Sequence, residues 1–472
     1  MRSFVCVALI APTIALAQIK GPSSSEAPYM LPVAPGVKTV SLLTTGNSVN
    51  NKPNGTPYRM VGMPDGLGAY SNGDGTISVT MNHEFGHGLG IVRAHGTTGG
   101  FVSEWRLNPT TRTVLFGQDL CTTVNAVSGG AAPFGRFCAG EMAAPSAFFD
   151  ATTGLGTTDR LHLTHEESGT ESRAYGFVAT GPSRGQAQFL PLMGRFSGEN
   201  AVAHPNTGSV TVVCGTEDTT PGQIYIYYGT KQSTGSVFDK AGLTNGRLYG
   251  IKVAGFPSED RTNGVPAGTP FSLVDMNITT TMTGATLDTN SSAALITKFN
   301  RPEDSCWDTK RQNRLYVVTT DRQNTGTQVG RARIWAFDFV DVTNPALGGT
   351  VQMILDGTEG HQMIDNICVN KLGHLLVCED PGSVVIPRIW YVKPDTHESF
   401  ILARHDAAKF GPGGSWTQNL ECTGIYDASA LMGPGWYLFN TQVHVTNPDT
   451  ELAEYGQFQA LYYQTRMPGF GR

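Results

Sequence analysis

The sequence predicts an all-β protein, and more narrowly a six-bladed β-propeller with a metal site in its central channel. Three observations predict it. Charged residues are only 15% of the 472-residue chain, while Gly (57) and Pro (27) are frequent, a balance that favours short strands and tight turns over helices. A short apolar or alternating strand ending in acidic or polar residues recurs six times, and four of those strands follow a loop with an acidic group of its own. Sheet units repeated around an axis mark a propeller, whose first strands line a channel and whose entering loops meet at one mouth. A pair of β-sandwiches is the competing architecture, but no linker composition separates two halves.

In chain order, the start reads as an export signal. Arg2 precedes the apolar run Phe4 to Leu16, and Ala15-Leu16-Ala17 before Gln18 is a small-x-small cleavage pattern. This predicts a signal peptide over 1–17 and a mature chain that is secreted or periplasmic. No second apolar stretch is long enough to span a membrane. Residues 18–57, rich in Ser, Pro, Asn and Gly, read as an irregular lead-in that wraps the body, and 58–472 as a single propeller domain.

The six recurring strands run from Ile77 to Glu84, Leu161 to Glu167, Val210 to Asp218, Leu315 to Asp321, Leu375 to Asp380 and Trp436 to His444. The acidic loops before the last four are Gly198-Glu199-Asn200, Arg301-Pro302-Glu303-Asp304, Asp365-Asn366 and Leu420-Glu421-Cys422-Thr423-Gly424. Gln223 to Tyr228 and Arg333 to Asp338 fit outer strands; Ser292 to Thr297 and Ser429 to Met432 read as single helical turns. A formal charge of -6 without a basic stripe gives no argument for a nucleic-acid partner.

Carboxylates converging on one mouth repel unless cations neutralise them. Hard oxygen ligands in such number suit calcium. If Cys6 leaves with the signal, seven cysteines remain, an odd number that in an oxidising compartment leaves a metal thiolate or an inert buried thiol. Cys138, ahead of the doublet Glu166-Glu167, would add a soft ligand that selects a transition-series ion, and so a mixed cluster. His87 and His95 lack zinc spacing, and no nucleophile elbow, Walker loop or dinucleotide fingerprint is present.

Together, Asn82-His83-Glu84, Cys138-Ala139-Gly140 with Leu163-Thr164-His165-Glu166-Glu167, Gly194-Arg195-Phe196 leading to Glu199, Phe299 to Asp304, Asp365-Asn366 leading to Cys378-Glu379-Asp380, and Glu421-x-Thr423-Gly424 leading to Phe439 to His444 resemble the PhoX-type alkaline phosphatases. The motifs stand in the family's order and span roughly Asn82 to His444. The resemblance implies a six-bladed propeller that hydrolyses small phosphomonoesters outside the cytoplasm, using an iron and calcium cluster with a metal-bound oxide or hydroxide as nucleophile. It places Cys138 on the iron, and Glu199 and Glu303 in the acidic set. Glu84, Glu166, Asp365, Glu379 and Glu421 fall on motif acids, and Glu167, Asp304 and Asn366, beside them, complete the expected ligand set. Arg195 and Arg301 are the candidates to fork phosphate oxygens, with Asn82 and His83 completing the catalytic set. Two departures stand out: Gly140-Glu141 replaces the family's Gly-Gly pair, and Gly198 stands where a histidine is expected. The signal has no twin arginine, which points to metal uptake after export. Two other functions fit the same acids: a calcium-stabilised propeller that binds a partner without turnover, and a calcium-dependent lactonase or esterase.

Overall fold

Alternating strands build almost the whole molecule, a computed structural model that describes residues 17–125, 133–321 and 331–464. Most of the expected signal peptide, residues 1–16, lies outside the described residues. Strand accounts for 46% and helix for 8%, as expected of an all-β chain.

Six mainly antiparallel sheet units follow one another, with a parallel pair at one edge of the second and of the sixth. Their innermost strands are Pro64–Ser71, Phe137–Met142, Gly198–Ala203, Pro302–Trp307, Ile364–Val369 and Leu420–Asp427. Each packs on the next and the last on the first, closing a ring. Each then pairs with the strand that follows it, respectively Ile77–His83, Leu161–Glu166, Val210–Glu217, Arg314–Thr319, Leu375–Glu379 and Trp436–Val443. The six strands legible in the sequence are therefore the second strands. The segments expected to be acidic loops are the starts of innermost strands.

Those inner strands carry little of the usual apolar pattern because there is no room for it at the axis. A Cβ on Gly66 would stand 2.1 Å from the Gly140 nitrogen, and one on Gly68 2.2 Å from the Met142 Cβ. Away from the axis the seams between sheets are apolar. Leu161, Leu163, Val213, Tyr225 and Tyr227 pack together between the second and third sheets, and Leu376, Ile389, Phe439 and Leu461 between the fifth and sixth.

The third and fourth sheets merge, because Thr269–Asp275 pairs with Gly349–Leu355 to give one sheet of nine strands. The lead-in is more regular than expected. Met30–Pro32 extends the fifth sheet beside Glu398–His405, and Lys38–Thr44 pairs with Tyr455–Tyr462 in the sixth. Burial of Val40, Leu42 and Leu43 explains why that segment forms a strand. Both ends of the chain thus build the sixth sheet.

The longest helix among the described residues, Gly284–Ala294, starts ahead of the turn expected at 292–297. The Thr283 side chain caps it, and Leu295 at φ 57° ends it. It carries no apolar stripe, burying Leu287 and Ser291, which hides it from a periodicity reading. The turn at Ser429–Met432 is present. No helix among the described residues is long and apolar enough to cross a membrane.

Candidate metal centre

All six innermost strands slip register against their partners. The shift falls between Pro64 and Leu67, Phe137 and Gly140, Gly198 and Ala201, Pro302 and Ser305, Ile364 and Ile367, and Thr423 and Tyr426. A bulge breaks the two-residue alternation and re-aims side chains. Beside the bulge in the first five sheets, and a few residues ahead of it in the sixth, the backbone N–H following each second strand returns to the inner strand: Glu84 to the Met63 carbonyl, Glu167 to Arg136, Asp218 to Ser197, Thr320 to Arg301, Asp380 to Met363 and His444 to Asn419, at 2.8–3.0 Å. Two residues beyond each acceptor stand Asp65, Cys138, Glu199, Glu303, Asp365 and Glu421. The repeat therefore supplies two rings of equivalent positions, the second being Glu84, Glu167, Asp218, Thr320, Asp380 and His444.

Ligand atoms of these residues approach one another within 4.8 Å in four overlapping groups: Asp65, Glu84 and Cys138; Cys138, Glu167 and Glu199; Glu199, Glu303 and Asp365; Asp365, Asp380 and Glu421. Eight carboxyls and one thiol thus form a continuous chain. Oxygens of Asp65, Glu84, Glu199, Glu303 and Asp365 are buried without a hydrogen-bond partner. Burial, and then the neighbouring carboxylates, hold Asp65, Glu199 and Glu303 well above the usual carboxylate range; for Glu303, Arg301 opposes this. Glu421 is pushed up to about 7 by burial and Asp380. Burial and the adjacent acids also raise the Cys138 thiol. Buried acids with unpartnered oxygens are costly, and cations are the ligands that relieve both the missing partners and the repulsion. The donor set fits them: sulfur and oxygen around Cys138, oxygen alone from Glu303 to Glu421.

Two guanidiniums adjoin the acids. Arg301 donates through Nε to Asp218 at 2.5 Å and lies 3.0 Å from Glu303. Arg136 bridges Glu167 at 2.6 Å and Glu84 at 3.4 Å across the first and second sheets. His444 sits between Glu421 at 3.1 Å and Glu454 at 2.9 Å.

The remaining predicted residues are placed differently. Glu166 and Glu379 face away from the chain of acids, each gripped twice by an arginine, Arg173 and Arg388 respectively, at 2.7–2.8 Å. In each doublet the following residue, Glu167 or Asp380, takes the inward position. Asp304 accepts from Asn200 and the Ser305 and Ile367 amides, tying three inner strands together, and Asn366 accepts from the Gly424 amide. Asn82 donates to the carbonyls of Cys138 and Ala139 at 2.9 and 3.0 Å, which fixes the thiol-bearing strand. His83 bonds Ser103 and stacks on Phe101 in the apolar interior. Arg195 lies over Phe189 and reaches the Glu171 carbonyl, apart from the acids.

Both sequence departures have a local explanation. A Cβ on Gly198 would come 2.2 Å from the His165 Cγ, so an imidazole from the second sheet occupies that space. Glu141 accepts from the Ala203 amide, and burial raises its carboxyl to about 8. Sequence reading missed Asp65, Asp218, Asp380 and Arg136 as site residues. Pro64-Asp65-Gly66 reads as a turn; the signal that finds it is the fixed offset from each second strand, which makes Asp65 the first sheet's counterpart of Cys138.

A ring-closed all-β body with a buried chain of acids and one thiol defines a protein suited to holding several cations. The chain belongs to the alkaline phosphatase PhoX family, whose description, "Alkaline phosphatase PhoX", matches residues 109–385. No curated protein matches the chain. Among solved structures it is similar to a Pseudomonas fluorescens PhoX in complex with vanadate, at 13% identity and a TM-score of 0.60, covering 95% of this chain and 97% of that one. A gluconolactonase from Xanthomonas campestris shares 10% identity over 96% of this chain and 98% of that one, at a TM-score of 0.38.

Proposed function

We propose that the chain is an exported metal-dependent phosphomonoester hydrolase, a six-bladed β-propeller that holds iron and calcium in its channel. The observation that carries this reading is the double ring of equivalent positions, which brings eight carboxyls and Cys138 together. Its membership of the PhoX family and the vanadate-bound relative, described as a complex with a transition-state analogue, point the same way. The domain runs from 58 to 472, completed by strands of the lead-in, and residues 1–17 direct export.

Asp65, Glu84, Glu167, Glu199 and Cys138 would hold iron, since the thiolate is the soft donor, while Glu303, Asp365, Asp380 and Glu421 would hold calcium. Iron and calcium bound there supply the positive charge and Lewis acidity that phosphoryl transfer to water needs. The protein's own part is orientation. Arg301, held by Asp218, presents its remaining N–H groups to phosphoryl oxygens, and Arg136 takes the second guanidinium position in place of Arg195. Asn82 keeps the Cys138 carbonyl fixed, and Glu166, Glu379, Asp304 and Asn366 support the strands that carry the ligands.

Hydrolysis of a generic aryl phosphate, measured together with metal content, tests the reading. The purified protein should contain iron and several calcium ions, lose activity with a calcium chelator and recover it with added calcium. Cys138→Ser should lose iron and nearly all turnover. Calcium alone, with no phosphatase activity, would overturn the proposal.

A further inference from the structure

We propose that Cys378 and Cys422 close a disulfide that staples the fifth sheet to the sixth, and so sets the width of the seam over which Asp365, Asp380 and Glu421 share a cation. Both residues are fully buried, and their sulfurs are in direct contact at 2.6 Å. They come from neighbouring sheets, Cys378 from the second strand of the fifth and Cys422 from the innermost strand of the sixth. The wall around them is apolar, built from Leu376, Ile389, Phe439 and Leu461. All seven described cysteines are buried free thiols in the structure; Cys306 and Cys368 also neighbour each other across the fourth and fifth sheets, but among the described residues the Cys378 and Cys422 sulfurs are the pair in direct contact.

Position gives the pair a role. Cys422 directly follows Glu421, and Cys378 lies two residues before Asp380. A bond between them joins the two strands whose ends carry these carboxylates, while Asp365 stands on the strand paired with the first. Closure is a two-electron step. One thiolate attacks an external disulfide oxidant and expels its first half, the second thiolate displaces the other half as the S–S bond forms, and the two protons given up by the cysteines end on the oxidant, which leaves as two thiols. An exported chain meets such oxidants. Burial requires the exchange to occur before the sixth sheet docks on the fifth.

The cross-link rests on the contact and on the proposed export; its effect on cation binding rests on the metal-centre reading, and two measurements separate them. Full-length protein produced through an export pathway is denatured, alkylated without reduction and mapped by mass spectrometry. A linked peptide pair containing Cys378 and Cys422, with Cys121, Cys138, Cys214, Cys306 and Cys368 alkylated, is expected. Alkylation of both Cys378 and Cys422 overturns the cross-link, whatever the protein's activity, and needs no variant to fold. Calcium titration of the Cys378→Val/Cys422→Val protein should then show affinity lower by about tenfold, as when a group that orients metal ligands is removed. Unchanged affinity in a variant that melts cooperatively overturns the positioning role.

Discussion

Asp65 and Glu379 are both buried acids at the inner ends of strands, yet their surroundings assign them opposite duties. The Asp65 Oδ1 has no partner, whereas Glu379 accepts from Arg388, Trp390 and the Gln362 amide. Asp65→Asn should therefore cut metal uptake and turnover by about a hundredfold and leave the melting temperature of the metal-free protein unchanged or raised. Glu379→Gln leaves Arg388 without its counter-charge and should cost about 3 kcal/mol of stability in a denaturant titration, with activity per folded molecule retained. Placement at this scale was partly legible in the sequence. Cys138, Glu84, Glu199, Glu303, Asp365 and Glu421 stand where their motifs lead one to look. In the doublets Glu166-Glu167 and Glu379-Asp380, however, only the fold decides which acid turns inward, because the choice depends on an arginine one strand further out.

Elements divide in the same way. Second strands are visible because both faces are buried in apolar seams, so they read as continuous runs such as Leu375-Leu376-Val377. Innermost strands are not, since glycine, alanine and bulges replace the alternation there. Their tight packing predicts that Gly66→Ala, whose new Cβ would meet the Gly140 nitrogen at 2.1 Å, destabilises by about 3 kcal/mol or more, as read by thermal melting. The fourth strand of the fifth sheet, Glu398–His405, contributes a pH response. His405 is buried between the Pro387 carbonyl and Thr441, and burial pulls its imidazole from 6.5 down to about 3. Its folded-state pKa is depressed, so the stability it contributes is complete above about 6.5 and declines as pH falls towards about 3. Unfolding free energies measured between those limits should fall less steeply for His405→Asn than for the parent.

For the molecule as a whole, the ring closes through the sixth sheet, which takes Lys38–Thr44 from one end of the chain and Tyr455–Tyr462 from the other. A chain lacking residues 18–44 loses that pairing and the Met30–Pro32 edge. It should melt at a lower temperature, with a broader transition by circular dichroism and weaker calcium binding than the full-length protein. That pairing was hidden in the sequence, because a Ser-, Pro- and Asn-rich stretch carries no local sign of a partner more than 400 residues away, as with the Tyr29 amide that donates to Gln457 across 428 positions. The same joint has a consequence for timing. Glu421 and His444 belong to the sixth sheet, and that sheet is complete only once Tyr455–Tyr462 has found Lys38–Thr44. A chain still being synthesised therefore lacks one side of the ring of acids. If the acids hold ions as proposed, loading is a property of the finished molecule, with ions drawn from the compartment in which Lys38–Thr44 and Tyr455–Tyr462 meet.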